Sequence, residues 1–148
     1  MKTKENLREF TEFLRDDLEL NLEQRREFSD NVEAEVSDFE LGNYRFIRFH
    51  DIEDIMVDEL SSDAYILGCF NDYFLAGILD VPVEVIQTLQ THDSYEAIGE
   101  WLIQQDLVPE LVDNYVLADG YQHFAHYDGT WDDLNDYYDC PYYSFRIN

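Results

Sequence analysis

From Phe49 to Phe145 the chain has no lysine and no arginine, a run of 97 residues. Protein surfaces ordinarily mix both signs, because opposite neighbours stabilise modestly and mixing limits repulsion. A surface without cations repels a phosphate backbone and an anionic lipid headgroup alike, which argues against nucleic acid and membrane as direct partners. Cysteine is also scarce. Cys69 and Cys140 cannot form a disulfide framework, and Cys69, within an apolar run, reads as a buried core thiol. The longest apolar region, 64–83, is interrupted by Asn71, Asp72 and Asp80 and so does not read as a membrane span. The opening MKTKENLREF lacks the apolar stretch of a secretory signal. The expectation is a soluble, cytoplasmic chain.

What is abundant is acid. Thirty-four Asp and Glu stand against nine Lys and Arg, a net charge of −25. Acidic tails reach such charge by losing apolar residues, but this chain keeps 45% hydrophobic and 16% aromatic residues, with only six Gly and three Pro. It can fold, and it folds against its own repulsion. At 148 residues, with no visible linker or internal repeat, it reads as a single domain, 1–148.

Hydrophobic spacing sets the expected elements. Leu7, Phe10, Leu14 and Leu18 recur at helical intervals, which predicts an amphipathic helix over about 4–28 with a break near Asn21. Residues 29–43 are polar and read partly as loop. The alternation of 44–49 predicts a strand, and Ile52, Ile55, Met56 and Leu60 a short helix. Residues 61–80 read as one largely buried helix. Three more helices follow, opened by Pro82, Ser94 and Pro109, the last ended by Asp119-Gly120. Tyr121–Tyr127 reads as a strand, Asp128-Gly129 as a hairpin turn and Tyr142–Ile147 as a C-terminal strand. The expected class is α+β: several helices packed on a small antiparallel sheet, with a C-terminal β-hairpin.

The charge is unevenly placed. Residues 1–48 hold eight cations against 13 acids, a net of −5; residues 49–148 hold one cation, Arg146, against 21 acids, a net of −20. Solubility alone needs a net charge of only a few units. Carboxylates at this density can stand in for phosphates. Duplex DNA carries one charge per ~1.7 Å, so 25 charges correspond to about 12 base pairs, or roughly 40 Å. A compact domain of this length is about that wide.

In size and composition the chain resembles the acidic DNA-mimic inhibitors of phages and mobile elements, the antirestriction and anti-CRISPR proteins. The resemblance spans the whole chain and rests on no motif, so it assigns no residue roles. It implies a stoichiometric, non-enzymatic inhibitor in the host bacterial cell. Such a protein occupies the DNA-binding groove of a basic nuclease, often as a homodimer.

From the residues themselves, the expected contact surface is the cation-free part: Glu96, Glu100, Asp106, Glu110, Asp113, Asp119, Asp128, Asp132, Asp133, Asp136 and Asp139, with Tyr137 and Tyr138 beside them. The run DGTWDDLNDYYDCPYY, Asp128–Tyr143, interleaves five Asp with five large aromatics. Carboxylates pair with guanidinium groups and rings stack on them, so the run reads as a folded acidic and aromatic surface. It does not fit a calcium loop: Gly falls at position 2 and no Glu stands at 12. His123, His126 and Cys140 invite a zinc site, but in a strand residues three apart diverge, and no second Cys is near. No metal, no cofactor and no catalytic motif is expected. Two rival readings remain: an acidic adaptor or inhibitor that binds a basic protein surface without imitating DNA, and a halophilic protein. The latter suits two Lys against seven Arg, but not the confinement of the excess charge to one part of the chain.

Overall fold

The computed structural model describes the chain from Lys4 to Asn148 except Tyr137, with side chains from Asn6 onward. Among these residues eight α-helices and a four-stranded antiparallel sheet give an α+β fold. Contacts cluster into two compact units. One comprises the N-terminal residues through Ile52 together with Tyr121–Asn148; the other is Glu53–Gly120.

In the first unit, α1 (Lys4–Glu12) runs into a π-helical segment, Phe13–Asp17. The wider turn is closed by Leu18 N–H donating to Phe13 O at 3.1 Å. The expected break near Asn21 is present, with a capping box as its cause. The Asn21 side chain accepts from Gln24 N–H, and the Gln24 side chain accepts from Asn21 N–H. This starts α2 (Leu22–Glu33), which extends five residues beyond the expected end at Phe28 into the segment read partly as loop. That segment also holds β1 (Asp38–Leu41), joined by a tight turn at Gly42 to β2 (Tyr44–Arg48).

The sheet order is β1-β2-β4-β3, with β3 Asp132–Asp133 and β4 Tyr142–Arg146. One face presents Phe39, Leu41, Phe46 and Tyr142 to Phe10, Phe13, Leu14, Leu18 and Phe28 of the helices. Phe28 meets Phe46 edge-on at 5.0 Å. On the other face Phe145 packs with Phe124 at 5.5 Å and Trp131 at 6.4 Å.

Residues 121–127 do not form the expected strand. Gly120 adopts φ 63 and ends the preceding helix, and Gln122–Phe124 is a 3₁₀ turn. The apolar positions Tyr121, Phe124 and Ala125 are three and four apart, a helical rather than alternating spacing. The C-terminal hairpin therefore pairs β3 with β4, and Asp128-Gly129 lies before it rather than at its turn.

The second unit is entirely helical beyond Ile52: α3 (Ile52–Ser61), α4 (Ala64–Gly68), α5 (Asp72–Leu79), α6 (Val83–Thr91), α7 (Tyr95–Gln104) and α8 (Val108–Asp119). The single buried helix expected over 61–80 is two short ones. Asp63 caps α4 through Ile66 N–H, and Asn71 caps α5 through Phe74 N–H, each at 3.2 Å. The Gln90 side chain then holds the intervening turn, donating to the carbonyls of Gly68 and Phe70 at 3.0 Å.

Splitting this helix moves Cys69 to the surface, against the expectation of a buried thiol. Cys140 is the buried one, and burial pushes its thiol up to about 12. A thiol reagent should therefore label Cys69 in the native protein and Cys140 only on unfolding, as mass spectrometry of the labelled peptides would report. Equal labelling rates would contradict this placement.

Candidate acidic interaction surface

Glu53–Gly120 contains 15 acids and no lysine or arginine. Within this unit no carboxylate has a Lys or Arg to pair with. Thirteen of the 15 are exposed; only Glu59 and Asp72 are partly covered. The first unit is arranged otherwise. Arg45 grips Asp38 with two hydrogen bonds, at 2.8 and 2.6 Å. Arg48 reaches Glu35 at 3.5 Å and Asp51 at 3.8 Å, and Arg15 pairs with Asp16 at 2.8 Å.

Several of the acids stand at helix ends. Acids in first turns, such as Glu84, Glu96 and Glu110, complement the helix dipole. Asp80, Asp93 and Asp106 stand at junctions, each after the negative end of one helix and one or two residues before the N-cap of the next, Pro82, Ser94 and Leu107. Each follows the end of a helix, α5, α6 and α7 respectively, in the left-handed conformation with φ between 54 and 57. Glycine or asparagine suits such a position, and a cation suits the negative end of a helix. No α-helix of this unit has a basic residue in its last turn. Glu96 and Glu100 add a like-charge pair four apart on α7, itself mildly destabilising. The unit keeps negative charge at the expense of its own stability.

Replacing Asp80, Asp93 and Asp106 by Asn should stabilise it by about 0.2–0.5 kcal/mol each, by lowering repulsion in a unit that has no cation. The triple variant should melt several degrees higher. A lower melting temperature would show that these carboxylates make stabilising contacts of their own.

The structure places six of the expected contact residues, Glu96, Glu100, Asp106, Glu110, Asp113 and Asp119, on α7, α8 and the turn between them, all exposed. The others lie in the first unit, where the aspartates are less uniformly available. Asp128 accepts hydrogen bonds from both Thr130 N–H and its hydroxyl, and Asp133 accepts from Asn135 N–H. Asp132 and Asp133 are partly buried opposite Ser144 and Tyr143. Burial, then Asp17 and Asp128, holds the Asp132 carboxyl above its usual range. Its ionisation therefore lowers stability as pH rises through that range.

Asp136 and Asp139 are exposed. Tyr138 packs edge-on against Phe10 at 5.9 Å as part of the core, and Tyr137 lies outside the described residues. The run Asp128–Tyr143 thus gives Leu134, Cys140 and Tyr142 to the interior and only part of its acid to the surface. Sequence reasoning omitted Glu53, Asp54, Asp58, Asp63, Asp80, Glu84 and Asp93, which are exposed in the same unit as the first six. The signal was present, because the cation-free stretch begins before all of them.

Comparison with known proteins finds no match: no family model fits the chain, and no curated protein or solved structure is similar to it.

Two further observations bear on chemistry. His123 and His126 do not diverge as a strand would require; the 3₁₀ turn brings their rings to 5.9 Å. Among the described residues no group of three or more His, Cys, Asp or Glu is placed to hold a metal ion. Among them, too, no helix is long and apolar enough to cross a membrane.

Proposed function

We propose that this protein is a non-enzymatic DNA mimic that inhibits a DNA-binding host defence enzyme, a restriction or CRISPR nuclease, by occupying its DNA groove. One observation carries the reading: a helical unit with 15 carboxylates, 13 of them exposed, and no lysine or arginine. A groove lined by arginine and lysine gains a faster encounter and charge-assisted hydrogen bonds from such a unit. The like-charge pair Glu96 and Glu100 on α7 supports it, since stability alone would favour an opposite charge at one of the two.

A second reading, an acidic inhibitor of a basic protein surface that does not imitate DNA, draws on Tyr65, Ile66, Tyr73 and Leu117. These are exposed apolar side chains of the same unit, with no counterpart in a phosphate backbone.

Affinity capture from a bacterial lysate, at low and at high salt with captured proteins identified by mass, tests the proposal. The expected catch is a DNA-dependent nuclease that is released by salt and whose cleavage of duplex falls in proportion to added protein. Captured proteins that neither bind nor cleave DNA would overturn the proposal.

A further inference from the structure

The second unit contains a cleft of about 360 Å³ lined by Phe70, Asn71, Phe74, Tyr115, Ala118 and Asp119. Three of these are aromatic and half-exposed. Phe70 and Tyr115 stand nearly perpendicular, at 78° with centroids 5.2 Å apart, and Phe74 lies 5.7 Å from Phe70. All three rings line the cleft, and an aromatic ring attracts a cation over its face, a planar guanidinium most of all.

Two independent features add negative potential at the same place. The Asp119 carboxylate is exposed at the rim. Asp119 is also the last residue of the 12-residue α8, whose terminal carbonyls form the negative end of a helix dipole with no basic residue in the last turn. Burial, with Asp119 nearby, raises the Tyr115 hydroxyl above its usual range. The Asn71 side-chain oxygen is engaged in capping Phe74 N–H.

We infer that this cleft is a receptor for one arginine side chain of the protein partner, its guanidinium against the Phe70–Tyr115 corner and paired with Asp119. An ammonium carries the same charge but cannot stack as a plane, and an apolar side chain would leave the carboxylate and helix end uncompensated. The inference rests on the proposed encounter with a basic protein. It adds what a field of carboxylates lacks, a fixed point that sets the register of the contact.

The test is titration of the isotopically labelled full chain with Nα-acetyl-arginine amide, followed by amide NMR shifts at constant ionic strength. Nα-acetyl-citrulline amide, the neutral counterpart, Nα-acetyl-lysine amide and free arginine serve as comparisons. Saturable shifts concentrated at Asn71, Phe74, Ala118 and Asp119 are expected. Binding should weaken about two- to fivefold with citrulline, with lysine and in Asp119→Asn, in line with the loss of an ion pair or of ring stacking at an exposed site. Tyr115→Leu should weaken it similarly, and a melt of each variant separates lost binding from lost folding.

Shifts spread evenly over the acidic helices, or equal binding of citrulline or lysine, would overturn the inference. Tighter binding of free arginine than of the blocked amide would also overturn it, by making the cleft an amino-acid site. These outcomes are separable from the proposed function. A cleft that ignores arginine leaves groove occupation intact, whereas arginine binding by a protein that cannot displace DNA sinks only the mimic.

Discussion

Gly99→Ala and Gly68→Ala should each cost the helical unit more than about 3 kcal/mol, the upper end for overpacking. Such a loss lowers the melting temperature by about 10 °C in a chain of this size. Here α4 crosses α7 antiparallel at backbone contact, and each helix supplies the glycine that faces the other's first residue. A methyl on Gly68 would lie 2.7 Å from Tyr95 Cα and closer still to its carbonyl. One on Gly99 would lie 2.6 Å from Ala64 Cα, again with the carbonyl nearer. In both cases the obstacle is backbone, which cannot rotate aside. The helices would have to separate, opening the packing around Leu67, Ile98 and Leu102, all fully buried.

Gly77 is the internal control. It lies on an exposed face of α5, where an added methyl would meet nothing within 4 Å. Gly77→Ala should raise stability by about 0.5–1 kcal/mol through helix propensity. Thermal melts of the three variants decide the matter. A Gly99→Ala protein melting with the wild type would mean that α4 and α7 do not pack as described.

Reversing charge in the helical unit should have an equally large effect on binding, with little effect on stability. Lysine at Glu96, Glu100, Glu110 and Asp113 changes the local charge by eight units in a region that has no cation. Binding of the captured nuclease should weaken by about a hundredfold or more at low salt, since charge-assisted contacts are lost and repulsive ones take their place. The melting temperature should stay close to that of the wild type, because the fall in repulsion within the unit offsets the dipole contacts that Glu96 and Glu110 lose. Lost binding in a protein that is still folded at the assay temperature cannot be ascribed to unfolding.

The matching reversal of Asp128, Asp136 and Asp139 in the sheet unit should matter less, since Asp128 is engaged in a local turn. Asp132 and Asp133 are poor choices for this purpose, because they are partly buried and their reversal would test folding. Unchanged binding after the α7–α8 reversal would remove these helices from the contact.

The amino-acid pattern announced those features that rest on local chemistry. Helical spacing located α3 and α6 to α8, and alternation located β2 and β4, because one buried stripe or face imposes its period on the sequence. The division of 61–80 was encoded in Asp63 and Asn71, but a capping side chain looks like any polar residue until the N–H it accepts from is known. The turn at 121–127 was hidden by aromatics, which favour strands in general yet here are spaced for a helical turn.

The acidic surface was legible as charge and not as place. Composition marked the cation-free stretch, but Asp128–Tyr143 drew attention through density alone, while its aromatics serve largely to build the core of the sheet unit. The glycine contact of α4 and α7 had one sequence signal, a glycine inside each helical pattern, which usually has a packing reason. The residue each faces depends on tertiary structure, which no local pattern contains.

The central claim is that this protein and duplex DNA compete for one groove, and equilibrium competition measures that directly. With the captured nuclease held at fixed concentration, a labelled cognate duplex is titrated against increasing amounts of the protein, and both bound species are followed. The account predicts mutual exclusion: the apparent dissociation constant of the duplex rises in proportion to protein concentration, no ternary complex forms, and the protein's own affinity falls steeply with salt. A ternary complex with duplex seated in its groove, or a duplex affinity that does not change as the protein is added, would contradict it.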